Sequence, residues 1–157
     1  MTEPTDLPPA VPDLPPVVAA DAPTARQLRH RVLRPHQAPE TIVFSHDDDP
    51  RTLHAVAWRA DGLLLGCASV LPDPEAGPGW YRLRGMATAP EARGVGLGRA
   101  LLDACLAHAR AQGAPAVWCT ARTSAAGFYL RAGFVAEGPE FDFEGIGPHL
   151  RMTCTLG

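Results

Sequence analysis

The chain has 157 residues, 46% of them hydrophobic and 20% charged, and a formal charge of −3. A single domain of that length buries about two thirds of the surface its unfolded chain exposes, so neither disulfides nor a metal is required for folding. Lysine is absent, arginine carries all the basic charge, and the negative balance argues against nucleic acid as a partner, since its binders show a basic stripe.

The four cysteines, Cys67, Cys105, Cys119 and Cys154, lack the short spacing of a zinc site and read as free, mostly buried thiols in a reducing compartment. There is no apolar run of about 18 residues to span a membrane. The N-terminus lacks the basic start and apolar stretch of a secretory signal. A cytoplasmic protein with no metal and no membrane partner is therefore expected.

In chain order, residues 1–16 hold six prolines with Glu3, Asp6 and Asp13 among them. Proline at that density opposes helix and sheet, and a disordered tail is expected ahead of a domain over 17–157. Val17 to Ala19 suggests a short strand. Asp21 then reads as the N-cap of a helix that tolerates Pro23 in its first turn and carries Leu28, Val32 and Leu33 up to Pro35. Residues 35–50 read as loop, with Asp47, Asp48 and Asp49 as a solvated turn.

Leu53 to Trp58 and Leu63 to Leu71 read as strands joined by an Asp-Gly hairpin at Asp61 and Gly62. Trp80 to Ala87 is a fourth strand, with Arg82 and Arg84 on one face and Tyr81 and Leu83 on the other. Leu97, Ala100, Leu101, Ala104, Cys105 and His108 form a helical stripe that stops near Gly113. Ala116 to Cys119 is a short buried strand. Ser124 is expected to cap a second helix through Phe128 and Tyr129 to Ala132, with Gly133 in the left-handed position after it. Phe134 and Val135, then Leu150 to Thr155, complete the strands. An antiparallel run followed by one strand–helix–strand unit predicts a mixed α/β sheet with a few covering helices.

The chemistry is concentrated between Gly85 and Ala100. A strand there enters a turn with glycines at 94, 96 and 98, and the amphipathic helix starts from it. Such a turn lets backbone N–H groups approach a ligand, and the helix start adds unpaired donors and positive potential. With Arg93 and Arg99 alongside, this is a cradle for a diphosphate. A nucleotide-hydrolase loop would need a lysine, which the chain lacks. A dinucleotide fold would need G-x-G-x-x-G and an acidic residue after the next strand, whereas that strand ends in Cys119 and Thr120.

Arg93-Gly94-Val95-Gly96-Leu97-Gly98 resembles the R/Q-x-x-G-x-G/A signature of the GNAT superfamily of N-acetyltransferases. Residues 124–134, Ser-Ala-Ala-Gly-Phe-Tyr-Leu-Arg-Ala-Gly-Phe, resemble the family's later A-x-x-F-Y-x-x-x-G-F motif, and the resemblance spans 17–155. It implies the GNAT fold, a mostly antiparallel sheet of six or seven strands with a splayed central pair and flanking helices. Acetyl-CoA would be the co-substrate, an amine the acceptor, and homodimers are frequent in the family. The resemblance places diphosphate on Arg93, Gly94, Val95, Gly96, Leu97, Gly98 and Arg99. It places pantetheine along Met86, Ala87 and Thr88 with further contacts at Thr120 and Ala126, although the family often has asparagine where Thr120 stands.

Tyr129 would protonate the departing thiolate. Some members carry a glutamate base in the fourth strand, where this chain has Arg82 and Arg84. His149 is the candidate relay instead, ahead of His36 and His54. The leading reading is acetyl transfer to a primary amine of a small molecule or a peptide N-terminus, and the alternative is an acyl-CoA-binding module without catalysis. Arg82 and Arg84 would either face the cleft and attract a substrate carboxylate or face solvent.

Overall fold

A computed structural model of the chain describes residues 14–38, 42–143 and 145–157. The tail expected over 1–16 lies, up to residue 13, outside them. Seven strands form one sheet: β1 (Val17–Ala20), β2 (Leu53–Trp58), β3 (Leu64–Pro72), β4 (Tyr81–Thr88), β5 (Ala116–Arg122), β6 (Val135–Asp142) and β7 (Pro148–Thr155). Their order is β1-β2-β3-β4-β5-β7-β6. All neighbours are antiparallel except β4 and β5. That parallel pair is joined by helix α2 (Leu97–Ala111), as a crossover requires.

Helix α1 (Ala22–Leu28) starts where the sequence implies, with Asp21 accepting the Thr24 N–H at 3.0 Å. It continues into one π-helical turn, Arg29–Leu33. Leu28 packs with Val56, Leu64, Cys67 and Ala87 on one face of the sheet. On the other face α2 buries Leu97, Leu101, Leu102, Cys105, Leu106 and Ala109 against Val70, Tyr81 and Leu83. Each large aliphatic side chain buried this way contributes about 1.5–3 kcal/mol. Helix α3 (Ala126–Arg131) follows a 3₁₀ turn at Thr123–Ala125 and ends at Gly133, whose φ is +99°.

Three expectations need correction. Ser124 lies inside the 3₁₀ turn and caps nothing; the residue preceding α3 is Ala125, and no side chain bonds to the helix start. β6 extends to Asp142, well past Val135, because it is an edge strand exposed along its whole length and so lacks the apolar alternation that marks a half-buried strand. Asp47 is not solvated but 4% exposed, held by an arginine the sequence did not single out.

Two features of β4 shape the site. Ala68 on β3 faces both Gly85 and Met86, a β-bulge. Gly85 is required there twice over: its φ is +65°, and a Cβ would stand 2.7 Å from Arg29 Nε. The β4–β5 ladder holds only at Tyr81–Val117 and Arg82–Trp118, after which the strands part.

Candidate active site

A cavity of about 380 Å³ opens where β4 and β5 diverge. Met86, Ala87 and Thr88 line it from β4, Cys119 and Thr120 from β5, Tyr129 from α3 and His149 from β7. A second recess, of about 440 Å³, lies over the start of α2 and is lined by Arg93, Gly94, Gly96, Leu97, Gly98 and Arg99. Thr88, Gly98 and Phe128 line both, so the two form one groove. Of the residues expected at the site, Val95 and Ala126 line neither cavity and pack against the core.

The recess over α2 is built as the sequence suggests. Gly94 and Gly96 have φ of +83° and +87°, and no side chain caps the helix at Gly96. The first-turn N–H groups of a 15-residue helix therefore have no side-chain cap among the described residues and carry the positive end of its dipole. The Arg93 N–H closes a turn on the Pro90 carbonyl at 3.4 Å, so the backbone donors begin at Gly94. Arg131, which sequence reasoning left aside although it lies inside the second motif, joins Arg93 and Arg99 on the wall, and none of the described residues lining the recess is acidic. Arg99 is tied to Asp103 one helical turn on, Nε to Oδ1 2.9 Å.

In the central cavity Tyr129 is 8% exposed and edge-packed between Phe128 and Phe134, with centroids at 5.0 and 5.4 Å. Burial, reinforced by Cys119 and Cys105, raises its phenol above the ordinary tyrosine value. It stays protonated at any working pH, which suits a proton donor and excludes a base. His149 is 3% exposed and opposes Arg122 at the end of β5. Its Nδ1 donates to the Gly147 carbonyl at 2.8 Å. A carbonyl can only accept, so that bond fixes the proton on Nδ1 and leaves Nε2 as the acceptor of the neutral ring. Arg34 and Arg122 also line this cavity, and neither stood out in the sequence. His36 is exposed and outside this cavity, while His54 is buried with Nε2 on the Asp47 carbonyl at 2.8 Å, so neither serves here.

Beneath the bulge lies a polar core. Arg29 is fully buried. Its Nη1 donates to Asp47 Oδ2 at 2.9 Å and to the Ile42 carbonyl at 3.0 Å; its Nη2 donates to Asp47 Oδ1 at 3.1 Å and to Ser69 Oγ at 2.7 Å. Its guanidinium stacks 4.0 Å from the Phe44 centroid. Burial opposes the Asp47 charge, but Arg29 outweighs it and holds the carboxyl below its ordinary value. The network clamps the loop bearing Phe44 and Asp47 against the bulge at Gly85. The buried stripe of Ala22, Ala25 and Arg29 at i, i+3 and i+7 was the available signal.

Comparison with known proteins agrees with this geometry. The family model for the acetyltransferase (GNAT) family matches residues 22–134. The chain is 36% identical over 133 residues to the N-acetyltransferase YitI of Bacillus subtilis (strain 168), itself uncharacterized, covering 83% of this chain and 89% of YitI. An acyl-CoA N-acyltransferase from Pseudomonas aeruginosa superposes with a TM-score of 0.74 at 27% identity, over 90% of this chain and 99% of that one. Escherichia coli ElaA, at 19% identity, shares the fold with a TM-score of 0.75 over 90% and 99% of the two chains. The protein belongs to the GNAT family of N-acetyltransferases.

Proposed function

We propose that the protein transfers an acetyl group from acetyl-CoA to a primary amine, of a small molecule or a peptide N-terminus, by direct attack within a ternary complex. The observation that carries this reading is the single groove joining the glycine recess to the cavity that holds Tyr129 and His149. In it, Gly94 to Arg99 receive the diphosphate, and the side of β4 released from β5 over Met86 to Thr88 pairs with pantetheine. An N–H at Met86 or Ala87 aimed at the thioester oxygen lowers the barrier by about 3 kcal/mol. His149 Nε2 accepts a proton from the ammonium, and the neutral nitrogen attacks the thioester carbon. As the C–N bond forms and the C–S bond breaks, Tyr129 protonates the sulfur. Nitrogen gives up two protons in all, one balanced at sulfur and one released to solvent.

Cys119 lines the same cavity, but burial pushes its thiol up to about 12. At neutral pH it stays a thiol, whereas the thiolate is the nucleophile, which argues against an acyl-enzyme route. Double-reciprocal plots against amine at several acetyl-CoA concentrations are therefore expected to intersect, and intact-mass spectra during turnover to show no acetylated protein. Parallel lines with an acetyl adduct would replace direct attack by a covalent mechanism.

Release of CoA thiol with a broad panel of amines, followed by mass spectrometry of the products, tests the activity; acetylated amine is the expected result. For the recess, Gly96→Val is informative because the nearest atom to the new Cβ is Leu14 Cδ1 at 3.9 Å, so the protein has room for it. The left-handed φ adds about 1–2 kcal/mol of strain. Calorimetry is expected to show at least about a tenfold loss of CoA affinity, a factor equal to 1.4 kcal/mol. Unchanged affinity would move the diphosphate elsewhere.

A further inference from the structure

A third cavity, of about 330 Å³, adjoins the groove on the far side from the glycine recess, and Arg84 lines both it and the central cavity. Arg82, Arg151 and Trp118 also line it. We propose that this cavity holds the carboxylate of the acceptor, and that the acceptor is a small amino acid-like molecule whose amine and carboxylate lie only a few bonds apart. This rests on the acetyl-transfer reading for the position of the amine.

The charge balance of the walls is the first support. Among the described residues three arginines, Arg82, Arg84 and Arg151, line it with two carboxylates, Asp73 and Glu75, and Asp73 Oδ2 accepts the Trp118 indole N–H at 2.8 Å. The second support is rigidity. Arg82 and Arg151 reach Trp118 from the strands on either side, their guanidinium carbons 4.3 and 4.2 Å from the ring centroid. Arg84 stacks on Phe44 at 3.9 Å. Stacking fixes the plane of a guanidinium and with it the plane of its N–H fork, so little entropy is lost when a carboxylate docks edge-on.

The third support is distance. Arg84 is two residues from Met86 along β4, about 7 Å of strand, shortened by the bulge between them. A carboxylate at Arg84 and an amine at the thioester must then belong to one short molecule. A polyamine, cationic at both ends, would meet three guanidinium groups. The face of β4 that carries Arg82 and Arg84 is thereby assigned to the acceptor rather than to solvent.

The test uses the intact chain with acetyl-CoA and three sets of acceptors: L-amino acids, their carboxamides, and the matching amines lacking the carboxyl group. At least about a tenfold preference in kcat/KM for the acids is expected, arising in KM, as hydrogen bonds to a charged group warrant. The spaced acid ε-aminocaproate is expected to be poor. In Arg151→Gln and Arg84→Gln the ratio of acid to carboxamide should collapse toward one. Arg151→Lys should restore part of it, and Arg59→Gln, on the distant β2–β3 hairpin, should leave it intact. Thermal melts exclude unfolding, and calorimetry of CoA-loaded protein gives a readout independent of turnover. Binding of an amino acid that depends on Arg151, without acetylation of any amine, would uphold the subsite and sink the transfer reading. Equal use of acids and carboxamides, a ratio unmoved in both glutamine variants, or neither binding nor turnover of acids would overturn the proposal.

Discussion

Replacing Arg29 by alanine is expected to cost about 3–5 kcal/mol of folding stability. The reason lies in what is left behind. Asp47 has a side chain only 2% exposed, and Arg29 meets both of its oxygens. Without Arg29 the carboxylate keeps, among the described residues, Arg26, at 3.0 Å from its partly exposed side, and the Phe44 N–H at 3.1 Å. Ser69 Oγ and the Ile42 carbonyl lose a donor in the same step. Denaturant unfolding at neutral pH measures the loss, and a value under about 1 kcal/mol would show that water replaces the guanidinium at little cost.

The sign of the pH dependence separates this mechanism from loss of packing. In the wild type the Asp47 carboxyl is held below its ordinary value. Its contribution is therefore complete above the unfolded value of about 3.9 and is lost as pH falls through the folded value. In Arg29→Ala burial is no longer outweighed to the same degree, so the carboxyl titrates higher and its charge becomes a burden that protonation relieves. The stability gap between the two proteins should accordingly narrow between about pH 7 and about pH 4. A gap constant across that range would assign the whole effect to cavity formation. Because Arg29 Nε lies against Gly85, turnover should suffer at temperatures where the variant remains folded.

What the sequence revealed divides by the span of the interactions involved. The glycine recess was legible because its chemistry is main-chain chemistry, confined to the six residues from Arg93 to Gly98 and followed by a strongly periodic helix. The β2–β3 hairpin was legible for the same reason: Asp61 and Gly62 encode the turn locally, and the Arg59 N–H meets the Leu63 carbonyl at 2.7 Å. The Arg29 network was not legible, since its partners lie 13, 18 and 40 residues away and a lone arginine beside an acidic loop looks like two solvated features. Ser124 misled because its residue type favours caps, whereas the backbone there forms a 3₁₀ turn first. The face on which Arg82 and Arg84 lie followed from alternation, but what that face meets depends on Trp118 and Arg151, two further strands of the sheet. Tyr129 and His149 come from segments 20 residues apart, and they share a cavity because β5 leads into α3 while β7 returns beside β5.

Tyr129→Phe should lower kcat about 100-fold, the bottom of the usual range for a general acid, with little change in CoA affinity or melting temperature. The modest size follows from the leaving group: a thiol of unperturbed pKa about 8.5 departs tolerably well without help. Stability should be nearly unaffected because the ring, not the hydroxyl, makes the edge contacts with Phe128 and Phe134. The raised phenol pKa adds a second expectation. The donor stays protonated, so the wild-type profile of kcat should show no descending limb from Tyr129 below the ordinary tyrosine value of about 10. An ascending limb from deprotonation of the amine acceptor should survive in Tyr129→Phe, because removing the donor leaves the base side of the reaction untouched. If kcat is unchanged in this variant, sulfur leaves as thiolate unaided and Tyr129 serves only to pack α3 against the core; if CoA affinity falls with kcat, its hydroxyl binds the cofactor arm rather than completing the cleavage.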